Sequence, residues 1–275
     1  MEASNLKHVL NMKQQTRYNG RVGLYPTNRI EQFKLNWSSS WGPTPNRWYS
    51  AEDKNFRTDF GSGKKDLVSY VPSNYFTYST TKNSLPVISI DSGSTGADFY
   101  TDATNTDIGY NTTRFVVVKP WAYWQDGINS LNFIEQTSYS TVGTPATYGA
   151  STIYIPKTGY IFGASVYSTN NNSTQNCTIV GGTYSAGEWS IVVHKGKSSL
   201  AQTSSGTING RVMGATTSIP STIIPTGGNG IGVSLFKNGG VDGAIAEVII
   251  YNSILSAGDT TLVENYLKNK WAISY

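Results

Sequence analysis

Residues 243–271 read GAIAEVIIYNSILSAGDTTLVENYLKNKW, and the fold turns on how this stretch is parsed. Its first part, AIAEVIIYN (244–252), is rich in β-branched and aromatic residues, as a strand requires. The period then changes. Ser256 is a good N-cap, Asp259 places a carboxylate in the first turn, and Leu262, Val263, Tyr266 and Leu267 form one apolar stripe at helical spacing. A helix over about 257–268 is predicted, covering one end or edge of a β structure, with Trp271 pinning the chain against it.

Upstream, short apolar runs alternate with polar turns. The clearest are LPVISID (85–91), RFVVVKP (114–120), STIYIP (151–156), YIFGASVYS (160–168), CTIVGGTY (177–184), EWSIVVHKG (188–196) and GIGVSLF (230–236). Alternation within EWSIVVH places Trp189, Ile191 and Val193 on one face and Ser190 and Val192 on the other. So many strands without intervening helices imply two packed antiparallel sheets. Composition agrees: 28 Gly and 18 Tyr among 275 residues, with only 14% charged. The single cysteine, Cys177, forms no internal disulfide, which fits synthesis in a reducing compartment.

Residues 1–45 differ from the rest. Residues 1–35 hold six basic groups (Lys7, Lys13, Arg17, Arg21, Arg29, Lys34) against Glu2 and Glu31, so the net charge of +4 resides there. Leu6, Val9 and Leu10 offer one amphipathic turn, and SSSWGPTPNRW (38–48) punctuates the passage into the strand-rich region. The expected organisation is a basic N-terminal docking arm, 1–45, followed by one β domain, 46–275. A basic arm on a neutral body is suited to an acidic protein surface more than to nucleic acid. No stretch has secretory length or approaches the roughly 20 apolar residues of a membrane span, so synthesis in a host cytoplasm without a signal peptide is expected.

The order G-x-IAE-V-I-I-YN-x-x-LS then V-E-x-YL-x-x-KW, running from Gly243 to Trp271, resembles the C-terminal end of laminin-G-like domains. These belong to the concanavalin A-like lectin and glucanase superfamily, and the likeness is to those of phage and bacterial surface proteins. RWYSAEDKNF (47–56), LPVISIDSGSTGADFY (85–100), TRFVVVKP (113–120), GEWSIVVHKG (187–196) and TINGRVMG (207–214) match upstream motifs in the expected order. The resemblance covers about residues 47–275. It implies an all-β, two-sheet antiparallel jelly-roll sandwich with a short C-terminal helix, the extended arm standing outside it. It also implies loops at one rim that bind sugar in some members, sometimes with calcium.

Glycosidases need two carboxylates flanking one bond, and two on one strand share a face only when spaced by two. No E-x-D-x-E pattern occurs, and Glu247 falls within the family's structural motif. His194 reads as a core or surface imidazole, and Cys177 as a small apolar side chain. Asp91, Asp98, Asp102 and Asp107 are the calcium candidates, although turn chemistry accounts for the same residues. No other cofactor signature is present. Sugar recognition needs aromatic faces beside amides or carboxylates, and KPWAYWQDGIN (119–129) supplies them: Trp121, Tyr123 and Trp124, then Gln125, Asp126 and Asn129. YSTNNNSTQN (167–176) is a second candidate.

These readings point to a non-enzymatic virion protein of a phage, a capsid decoration or tail component anchored by its arm. Its expected partners are capsid or tail proteins, host glycans and further copies of itself. The alternatives are a free carbohydrate-binding module and, less in keeping with the sequence, a glycoside hydrolase.

Overall fold

The computed structural model describes residues 35–53, 56, 58–64, 66–69, 76–77, 81–90, 99–100, 112–120, 130–138, 149–156, 161–170, 173–183, 187–196, 205–213, 231–235 and 243–275. They form an all-β, two-sheet antiparallel jelly-roll sandwich with one C-terminal helix. The first sheet runs β15 (Arg211–Val212), β14 (Ser205–Ile208), β13 (Ser190–Gly196), β8 (Thr112–Pro120), β17 (Gly243–Tyr251), β6 (Ile88–Ile90) and β3 (Phe76–Thr77). β1 (Arg47–Ser50) also pairs with β17. The second sheet runs β12 (Ser173–Thr183), β11 (Ile161–Asn170), β10 (Gly149–Pro156), β9 (Ser130–Ser138), β16 (Ile231–Leu235), β7 (Phe99–Tyr100) and β2 (Val68–Ser69). β4 (Thr81–Lys82) and β5 (Leu85–Pro86) make a separate hairpin. Every strand segment expected from the sequence is present, with LPVISID divided between β5 and β6.

β17 organises the first sheet. One edge pairs along its length with β8, and the other is shared by β6 over Gly243–Ile245 and β1 over Glu247–Ile250. Opposite β8 the register skips Ala246, so this residue forms a β-bulge at the point where the neighbour changes. Its carbonyl is not wasted, because it accepts the Ala51 amide at 2.9 Å. Beyond the bulge, Glu247, Ile249 and Tyr251 share a face with Val117, Phe115 and Thr113, while Val248 and Ile250 share the opposite face with Val116 and Arg114.

The helix α1 (Ala257–Trp271) covers the Glu247 face. Its start is an N-cap. Ser256 Oγ accepts the Asp259 amide at 3.1 Å and donates to Asp259 Oδ2 at 2.8 Å. Its end is a left-handed cap at Ala272, φ 47°, followed by the Ile273 amide donating to Lys268 O at 3.1 Å. Val263, Tyr266, Leu267 and Trp271 are buried. Leu262, expected in the apolar stripe, is instead 43% exposed, because one turn of helix seated on a flat sheet buries a narrower arc than the sequence stripe spans.

The lead-in chain belongs to the same unit, which runs Asn36–Tyr275. Trp41 ends a 3-10 turn, Ser39–Trp41, and stacks on Tyr266 with centroids 4.4 Å apart, and Trp37 meets the same ring edge-on at 5.2 Å. Gly42, at φ 112°, lies so close to the helix that an added Cβ would sit 3.0 Å from Val263 Cγ2. TINGRVMG folds as the expected hairpin, with Asn209 and Gly210 both at positive φ as a type I′ turn demands.

One expectation for β13 changes. Alternation predicted two distinct faces, yet Ser190 through His194 are all buried and Trp189 is only partly so. α1 covers one face of this sheet and the second sheet lies against the other, where β11 approaches β13 and β12 approaches β14. A strand covered on both sides has no polar face to alternate.

Candidate functional site

The structure's most developed polar centre is built on Glu247. This carboxylate is fully buried, and both of its oxygens are occupied. Oε1 accepts Trp48 Nε1 at 2.5 Å and Tyr266 Oη at 2.6 Å; Oε2 accepts Trp271 Nε1 at 2.5 Å and Lys270 Nζ at 2.9 Å. The donors come from β1 and α1, so one side chain ties the first strand of the domain to its last helix. Burial and the Glu247 charge both push the Tyr266 hydroxyl far up, which keeps it a proton donor at any physiological pH.

Lys270 closes the network at the surface. Its ammonium also reaches Glu52 Oε1 at 3.2 Å, Ser50 Oγ at 3.2 Å and Tyr266 Oη at 3.0 Å, and lies 5.2 Å from the Trp271 ring centroid. A carboxylate with four donors and a lysine between two carboxylates have no free valence for a substrate. Their chemistry is charge neutralisation inside the fold.

A second buried row crosses the opposite face of the same sheet. Strand register sets Arg47, Ile250, Arg114, His194 and Gly206 side by side. Asp59 faces Arg47 with 3.6 Å between Nη1 and Oδ2, and its Oδ1 accepts the Trp48 and Gly61 amides at 2.9 and 2.8 Å. Gly63 is required there, since a Cβ would collide with the Arg47 guanidinium. Arg114 Nη2 meets His194 Nδ1. Burial lowers the Arg114 pKa to about 9, which still leaves it charged at neutral pH. Burial first, and the Arg114 charge second, hold His194 well below its usual range. The imidazole is therefore neutral, with Nδ1 accepting and the proton on Nε2, and Nε2 has no hydrogen-bond partner among the described residues.

The sugar candidates Trp121, Tyr123, Trp124, Gln125, Asp126 and Asn129 lie outside the described residues, beyond the C-terminal end of β8. The calcium candidates Asp91, Asp98, Asp102 and Asp107 lie outside them too, as do the arm residues Lys7, Lys13, Arg17, Arg21, Arg29 and Lys34. Within the second candidate, YSTNNNSTQN, residues 167–170 and 173–176 continue β11 and β12, so most of it is strand. Among the described residues, no group of three or more His, Cys, Asp or Glu could hold a metal ion. Nor is any helix there long and apolar enough to cross a membrane.

Sequence reasoning missed the Arg114–His194 and Arg47–Asp59 pairs. A signal existed for the first: Arg114 and His194 are ionisable residues inside apolar strand runs.

No protein-family model matches the chain, and no curated protein matches it in sequence. Solved structures do match in fold. The binding domain of botulinum neurotoxin DC in complex with SialylT superposes with a TM-score of 0.56 at 13% identity, covering 82% of this chain and 52% of that one. Trypanosoma rangeli sialidase in complex with 2,3-difluoro-KDN gives 0.52 at 10% identity over 97% of this chain. The chain spans only 39% of that sialidase. Domain 4 of a GH43 extracellular arabinanase from Geobacillus stearothermophilus, in complex with arabinotriose, gives 0.50 at 11% identity, covering 81% of this chain and 98% of that one. At these identities the likeness is one of fold: the chain is a β-sandwich of the architecture shared by domains that hold SialylT and arabinotriose.

Proposed function

We propose that this chain is a non-catalytic glycan-binding β-sandwich, displayed on a phage particle by its basic N-terminal arm. The observation that carries the glycan reading is the shared architecture with domains solved holding SialylT and arabinotriose. We assign the saccharide to residues 121–129, where Trp121, Tyr123 and Trp124 would supply stacking faces and Gln125, Asp126 and Asn129 hydroxyl partners. The non-catalytic reading is supported by the buried carboxylates Glu247 and Asp59, each consumed by internal donors. The virion reading is supported by the concentration of positive charge in residues 1–35 and by the likeness of the C-terminal run to phage and bacterial domains.

Glycan-array binding by the full chain tests the first element. Signal is expected that disappears in Trp121→Ala or Trp124→Ala while the melting temperature holds, and a silent array overturns it. Particle incorporation tests the second: deletion of residues 1–35, which leaves the packed Trp37 and Trp41 in place, is expected to abolish it. A polysaccharide panel tests the third, and turnover of any member overturns the non-catalytic reading.

A second reading is favoured by one observation. The arabinanase domain is matched over 98% of its length, which makes this fold a complete unit carried within a larger enzyme. A free or appended carbohydrate-binding module fits that match, and it would bind the array with or without residues 1–35.

A further inference from the structure

Among the described residues five strands of the two sheets pair on one side only, and these are not alike; β1 has four residues. β15, β3 and β2 are each two residues long. β12 is eleven residues long, Ser173–Thr183, and pairs with β11 on one side only among the described residues. At about 3.4 Å per residue it presents roughly 37 Å of edge, enough for about ten main-chain hydrogen bonds to an antiparallel partner. Short strands, charges and prolines are the usual means of blunting an edge. The segment STQNCTIVGGT contains no Lys, Arg, Asp, Glu or Pro. Beside it, β15 approaches β12 and carries Val212, 80% exposed.

We propose that the β12 edge is a twofold self-association surface, at which a second copy of this chain adds its own β12 antiparallel. A twofold axis makes the interface self-complementary, and an uncharged strand meets its copy with no like charges opposed. Closure also favours this partner. Pairing two β12 edges consumes both at once, and among the described residues the joined seven-stranded sheets then end in the two-residue β2. Val212 of each copy flanks the junction and contributes apolar contact at its rim.

Sedimentation of the full chain across a concentration series, combined with backbone hydrogen exchange, tests this directly. A dimer is expected, with amides of residues 173–183 gaining protection as it forms. By strand alternation Asn176 and Thr178 share one face of β12, so Asn176→Lys together with Thr178→Lys brings four charges to the paired edges. That variant is expected to weaken dimerisation by about tenfold or more. A wild-type chain that stays monomeric overturns the proposal. So does full protection of 173–183 in the monomer, which would mark an occupant from the same chain, and so does a dimer of unchanged affinity in the double variant. Where that variant does not fold, judged by its circular dichroism, the concentration dependence of wild-type exchange decides alone.

Discussion

The two faces of the first sheet surround buried charge with different partners. Under α1, Glu247 is saturated by two indoles, a phenol and an ammonium, and the aromatic donors are themselves core side chains. On the face toward the second sheet, Arg47 meets Asp59, and Arg114 meets an imidazole that burial holds neutral. The lesson is that burial is offset under α1 by matched charge and bound donors, and on the other face by an ion pair beside an arginine set on a titratable partner. The first arrangement specifies where the helix sits; the second leaves a group that responds to pH.

The largest effect is expected at Glu247. Glu247→Ala strands four donors in the interior and should cost about 3–5 kcal/mol, read by chemical denaturation. A loss below about 1 kcal/mol would mean that the helix is held by apolar contact and that the two faces do not differ as described. Next comes pH. The folded-state pKa of His194 lies below its ordinary 6.5, so as the pH falls through 6.5 the unfolded chain takes up the proton first. Stability is full above that value and declines below it, by at most about 1.4 kcal/mol per pH unit for one proton. His194→Gln keeps an acceptor for Arg114 and should flatten the profile between pH 6.5 and 5; an unchanged slope would assign it to other groups.

Two smaller effects separate the helix's own ends from its seat on the sheet. Ser256→Ala removes the N-cap and should cost about 1 kcal/mol. Ala272→Gly relieves a left-handed Ala and should add about 0.5–1 kcal/mol to stability. If either shift approaches that of Glu247→Ala, the lid is clamped by its termini rather than by the carboxylate beneath it.

The strands and helix were legible because a single period ran through each. Legibility failed where the period broke. β9, SLNFIEQTS, went unread, and its pairing with β10 explains why: Ile153 opposes Ile134 and Tyr154 opposes Asn132, so Phe133 is an extra residue. It sets Phe133 and Ile134 side by side and ends the alternation that marks a half-buried strand. The bulge at Ala246 was hidden for the opposite reason, since β17 is buried on both faces and its apolar run conceals a shift of register. Glu247 was legible as structural, although its four partners are 199, 19, 23 and 24 residues away in sequence and no local pattern could pair them. The candidate sugar, calcium and docking residues rest on sequence alone.

The central position of β17 has a consequence for how this protein is made. β1, β6 and β8 leave the ribosome up to 200 residues before the strand to which all three bond, and Trp48 then still awaits its carboxylate. During translation these early strands lack the strand that joins them, because closing such long loops precedes any reward from contact. A nascent chain halted before Gly243 would leave β1 and Trp48 protease-sensitive, and emergence of Gly243–Trp271 would complete the first sheet in one late, cooperative step.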